Sequence, residues 1–349
     1  VDRRERMSAH HDRMTATAGE DGMPATAEEN GTTATADQDR TVATEERDRR
    51  DRPTLTVVGP AAQPGAIGQP AARGYRPSRT LPLRVELVRQ LRRRRTLVMA
   101  TVLAVLPFVL VAAFALDDGE PSGRNNRINL MDTATASGPN FAATALFVSA
   151  GFLLVVPVAL FCGDTVASEA SWSSLRYLLA APVPRARLLG SKLLVALGMS
   201  LAAIVLLPVV ALAVGTVAYG WGPLQIPTGG VLDAGTAAQR LVIIVAYIFV
   251  SQLVTAGLAF WLSTKTDAPL GAVGGAVGLT IVGNVLDAVT ALGDWRAFLP
   301  AHWQFAWADL IQPRPEWGGM IQGSAVSVTY AVVLVALAFR GFRRKDVVS

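Results

Sequence analysis

From residue 97 onward the chain alternates long apolar runs, nearly free of charge, with polar connections. The runs cover residues 97–116, 141–162, 193–217, 241–262, 268–291 and 320–339. A helix rises 1.5 Å per residue, so roughly 20 apolar residues cross a hydrocarbon core. Each run therefore predicts a spanning helix, and the expected fold class is an all-α integral membrane protein with six transmembrane helices. Pro107, Pro157 and Pro208 fall inside the first three runs. Within a bundle, neighbouring groups can re-satisfy the carbonyls that a proline frees. The fifth run is the least clean, because Asn284 and Asp287 sit in its second half.

The connections carry patterns of their own. Residues 83–95 read LRVELVRQLRRRR. Leu83, Leu87 and Leu91 recur at four-residue spacing while arginines, Arg92 among them, fill most of the rest. That pattern predicts an amphipathic helix lying along a headgroup surface. The connection 163–192 is long. In it Glu169 opens a segment where Trp172, Leu175 and Leu179 share a helical face beside Arg176, and Pro182 and Pro184 end it. Arg185, Arg187 and Lys192 then lead into the third run. A short amphipathic helix between two spans is a docking element for a cytosolic partner. The turn 263–267 forces the fourth and fifth runs into a hairpin. The connection 292–319 holds Trp295, Trp303, Trp307, Trp317, Phe298 and Phe305. Such rings favour the bilayer interface, so short helices on, or dipping into, the outer leaflet are expected.

Charge sets the orientation. With the amino terminus inside, 15 basic residues outside the first 80 fall on inner segments and 5 on outer ones. The positive-inside rule then places both termini in the cytoplasm of a plasma-membrane protein. Composition agrees, since 17% charged residues is well below the ~25% of soluble domains. The net charge of +5 comes from arginines beside apolar runs. The acidic surface they face is lipid headgroups rather than nucleic acid. Residues 1–80, rich in Ala, Thr, Asp and Pro, have too little apolar surface to offset the entropy of ordering, and a disordered cytoplasmic tail is expected. No apolar stretch follows the early arginines, so no cleavable signal peptide is expected.

Candidate chemistry is sparse. The chain has no Gly-Lys dipeptide, hence no phosphate-cradling Walker loop. One cysteine, Cys162, excludes an intramolecular disulfide, and one histidine beyond the tail, His302, excludes a histidine metal cluster. No catalytic or metal-ligating set is expected, and the chain alone is not an enzyme. Gly271, Gly274, Gly275 and Gly278 give two overlapping G-x-x-x-G spacings, for close packing within or between subunits or for a gate. Asn284 and Asp287 are candidates for a substrate pathway, with a hydrated structural carboxylate as the other reading of Asp287.

One arrangement resembles a known family. Glu169, Leu175, Arg176, Leu178, Leu179, Pro182, Val183, Arg185, Arg187, Leu188, Leu189 and Lys192 are similar to the loop between helices two and three in permeases of type-2 ABC exporters. Ser173 and Ser174 stand where that family often has Gly-Thr. Residues 83–95 resemble its interfacial connecting helix, and LPAHWQFAWADL, residues 299–310, its outer segment. The resemblance covers residues 82–345 as one permease domain. It implies a permease half that pairs with a second subunit, as homodimer or heterodimer. It also implies separately encoded cytosolic ATPases that bind ATP and Mg, so no cofactor is expected in this chain. Glu169, Trp172, Leu175, Arg176, Leu179, Pro182 and Arg185 are then the ATPase-coupling residues. The expected function is export of a drug-like, lipid or lipid-linked molecule. The rival readings are an ion- or proton-coupled secondary transporter and a non-transporting membrane assembly subunit. A secondary transporter would show inverted repeats, broken helices and buried coupling carboxylates, none of which is clear in the sequence.

Overall fold

The computed structural model describes residues 83–116, 130–171, 185–227 and 229–344, all within the unit Ala72–Ser349. The expected tail, 1–80, lies outside them. So do Trp172, Leu175, Arg176, Leu179 and Pro182 of the expected docking helix.

The helices are α1 (Leu83–Leu91), α2 (Arg94–Ala115), α3 (Gly138–Ala150), α4 (Val155–Ser171), α5 (Arg185–Tyr219), α6 (Ala234–Ser251), α7 (Leu253–Lys265), α8 (Pro269–Ala288) and α9 (Gly318–Arg344). A minimal antiparallel hairpin, β1 (Leu224–Gln225) with β2 (Val231–Leu232), pairs Leu224 with Leu232 between α5 and α6. Five helical units are long and apolar enough to cross a bilayer, namely α2, α5, α6 with α7, α8 and α9. A sixth results if the bent pair α3–α4 counts as one span. The molecule is therefore a multi-pass, all-α membrane protein. Its two ends differ in chemistry. The end bearing α1 is rich in arginine, and the opposite end carries most of the tryptophans.

The second apolar run is not one straight helix. Between α3 and α4 the axis turns by 53°, and the hydrogen bonds show how. Leu154 donates to Ser149 O and Val155 donates to Phe152 O, so the carbonyls of Ala150 and Gly151 lose their regular i+4 donors. Restarting the helix at Val155 places Pro157 in the first turn of α4, where a missing N–H costs little. Pro107 and Pro208 remain inside α2 and α5.

The connection expected over 163–192 is shorter than its polarity suggested. Helix α4 continues to Ser171 and α5 begins at Arg185. Asp164, Thr165, Ser168 and Glu169 stay within α4 and are buried, with the two carboxylates paired as described below. At the tryptophan end, Asn140 and Gln225 form a reciprocal pair: Asn140 Nδ2 donates to Gln225 O and Gln225 N to Asn140 Oδ1, each at 2.8 Å. Tight packing of α3 on α5 needs Gly215, where a Cβ would lie 2.8 Å from the Phe141 ring.

Candidate coupling and transport site

Two carboxylates near the arginine-rich end of α4 organise the charges around them. Asp164 accepts from Arg93 and Arg95, at the start of α2. Glu169, one and a half turns on, accepts from Arg89 of α1 and from Lys192 of α5, the latter at 2.5 Å. Lys192 Nζ also lies 3.5 Å from Glu86 Oε1. The side chains of Asp164, Glu169 and Lys192 are each only 4% exposed. Buried charges persist only when paired in this way. Burial lowers the Arg93 pKa, and its neighbours Arg95 and Arg89 lower it further against the pull of Asp164. Burial acts downward on Arg89 too, but Glu169, Glu86 and Asp164 together outweigh it and hold that guanidinium above its ordinary value.

The cluster ties four elements together: α1, the start of α2, the end of α4 and the start of α5. Glu169, expected to open a docking helix, instead lies in the last turns of α4 and faces its own chain. Arg185, expected in the connection ahead of a span beginning at residue 193, is the first residue of α5. A further stitch comes from α7, where Ser263 Oγ accepts from the backbone N–H groups of Val166 and Ala167 at 3.0 and 3.1 Å.

The second feature is the break in the second span. Gln304 and Gln252 both donate to Ala150 O, at 2.7 and 3.5 Å, and Asn284 Nδ2 donates to Gly151 O at 3.4 Å. Three carboxamides from three separate elements thus satisfy the two carbonyls that the bend exposes. They also line a cavity of about 110 Å³, with Ser251, Thr255 and Thr280 on its walls. Room for a few waters follows, and the polar lining makes hydration favourable.

The segment 290–310 contributes Pro300, Ala301 and Gln304 to the walls of this cavity. It consists of short 3₁₀ turns, Thr290–Phe298, Pro300–Trp303 and Ala306–Leu310. Of the aromatic residues expected at the outer leaflet, Trp295, Phe298 and Phe305 are exposed. Trp307 and Leu310, by contrast, are buried in the bundle. Arg240 donates to Leu310 O and Gln312 O, and Tyr247 Oη to Trp303 O at 2.6 Å. Nothing in their sequence spacing marks Gln252, Gln304, Arg240 or Tyr247 as a set. The one available signal was isolated polar residues within or beside apolar runs.

The two expected pathway residues are separated. Asn284 lines the cavity, whereas Asp287 Oδ1 lies 2.8 Å from His302 Nδ1 at the tryptophan end. Of the expected packing glycines, Gly275 meets Leu262 of α7, where a Cβ would sit 3.1 Å from Cδ1. Gly271 meets only Ala268 and Thr266, and Gly278 has no neighbour within 4 Å. The interfacial leucines Leu83, Leu87 and Leu91 are exposed, as is Arg92. No group of three metal-ligating residues occurs among the described residues.

Comparison with curated proteins finds no match. A family model described as ABC-2 family transporter protein matches residues 83–269. That match is more than half of the 349 residues, running from the first residue of α1 to the first of α8. It contains the whole charge cluster and both halves of the broken span. The chain belongs to the ABC-2 transporter family and is a membrane permease component of a transport system.

Proposed function

We propose that this chain is the transmembrane permease subunit of an ATP-driven exporter, working with separately encoded ABC ATPases and a second permease subunit. It has six spans, α3–α4 counting as one, with both termini in the cytoplasm of a plasma-membrane protein. Residues 168–181 form the element that the ATPase engages, and Trp172 is its aromatic anchor. The permease domain is residues 82–345, preceded by the tail 1–80.

The observation that carries this reading is the charge cluster. The helices flanking residues 172–184 end in one network with α1. A displacement of that segment by a closing ATPase therefore reaches α1 and the second and third spans together. ATP binding then shifts the population between inward- and outward-facing bundles. The broken span and its carboxamide-lined cavity lie on the helix that carries Asp164 and Glu169, with Gln304 of the tryptophan-end segment on the cavity wall. Spans α2 and α8 are the least enclosed by their own chain, which suits contact with a second subunit.

A broken span also belongs to secondary transporters. Here the buried carboxylates, Asp164 and Glu169, are each held by two basic residues of neighbouring helices, an arrangement that ties helices together. The test is copurification of the full chain with candidate ABC ATPases, followed by a screen for compounds that stimulate hydrolysis. Trp172→Ala should lose most of the ATPase, by about 2 kcal/mol or more of binding, while Trp221→Ala should not. The reverse pattern would overturn the assignment.

A further inference from the structure

Helix α1 is amphipathic the wrong way round for a helix packed on a protein. Its polar residues Glu86 and Gln90 face the bundle, and Gln90 is 3% exposed. Leu83, Val85, Leu87, Val88 and Leu91 face away and are exposed. The arginines at this end divide as sharply. Arg89, Arg93 and Arg95 are spent on Glu169 and Asp164. Arg84, Arg92 and Arg94 are exposed and make no ion pair among the described residues.

An outward apolar face beside uncommitted arginines fits one environment, the boundary between acyl chains and phosphates. On a helical wheel Arg84 falls in the middle of the apolar face, between Val88 and Leu91, so its head must reach out along its own stem. The guanidinium fork matches phosphate oxygens.

We infer that α1 is a recognition site for anionic phospholipid, with its apolar face in the acyl boundary and Arg84, Arg92 and Arg94 on headgroup phosphates. The internally paired arginines hold the helix in place, and the free ones select the lipid. This inference rests on the permease reading for the placement of α1 at the bilayer, but not on which side faces the cytoplasm.

The full chain, reconstituted in phosphatidylcholine bilayers, is titrated with trace spin-labelled phosphatidylglycerol or phosphatidylcholine, and the motionally restricted fraction is read. Phosphatidylglycerol should be preferred at least about fivefold, the scale of one engaged arginine. The preference should shrink in 1 M salt. The variant R84Q/R92Q/R94Q should bring it close to parity with unchanged thermal stability, because these exposed side chains make no ion pair among the described residues. The variant R340Q/R343Q should keep it. Absence of any preference in the wild-type chain would overturn the inference and leave the face to a protein partner. Loss in R340Q/R343Q but not in the triple variant would overturn it equally. Because both leaflets carry the probe, an inverted topology leaves this result unchanged and shows only in residue-specific labelling.

Discussion

Replacing Lys192 with Met tests the charge cluster at its most buried point. In the wild-type chain Glu86 and Glu169 pair with Arg89 and Lys192. Lys192→Met leaves two carboxylates against one guanidinium, and the excess falls on a Glu169 side chain only 4% exposed. Removing one partner of a buried pair costs about 3–5 kcal/mol. Glu169→Gln leaves the opposite excess. Part of it rests on Arg89, whose side chain is 45% exposed, so its cost should fall at the lower end of that range. The double variant removes one charge of each sign, with Glu86 and Arg89 still paired at 3.6 Å. It should therefore be closer to wild type than Lys192→Met is, with a coupling of about 2 kcal/mol or more. Equilibrium unfolding of the full chain in mixed micelles, followed by tryptophan fluorescence, reads all three. Additive losses in the double variant, or single losses within about 0.5 kcal/mol of wild type, would refute the view that the pair is buried and mutually dependent.

Gln304→Leu removes the shortest hydrogen bond to the bend and should cost about 1–3 kcal/mol in the same assay; no change would mean the Ala150 carbonyl is satisfied otherwise. Gly215→Ala puts a methyl 2.8 Å from Phe141 and should cost about 1–3 kcal/mol by overpacking, where Gly274→Ala, with open space around it, should be near neutral. In a Cys162→Ala background, Ala268→Cys should label with impermeant maleimide only after cells are opened and Glu316→Cys in intact cells. The opposite pattern would invert the topology.

The spans were legible because hydropathy acts locally: a run of some 20 apolar residues states its own fate. The Lys265–Pro269 hairpin was legible for the same reason, its turn being too short for anything else. The break at Ala150 was not, because its hydrogen-bond donors lie 102, 133 and 154 residues away from their acceptors. The arginines of 84–95 announced themselves as a membrane flank. Which of them meet carboxylates 69 to 80 residues on depends on how α1 and α4 pack, and no local pattern encodes that. Glu169 was visible as a motif residue, but its burial against Lys192 belongs to the tertiary structure. Trp307 read as interfacial by type and is buried by position, because the turns around it are pinned by Arg240, Tyr247 and Gln304.

The central claim is that a separate ATPase drives this permease through residues 172–184. A photoreactive amino acid placed at Trp172 of the full chain, in its native membrane, tests it most directly. Irradiation should join the chain to a nucleotide-binding ATPase, with the yield changing when ATP is added, and the same probe at Trp221 should not. Capture of the ATPase from position 221 alone, or substrate export that continues when every cytosolic ABC ATPase is removed, would contradict the account.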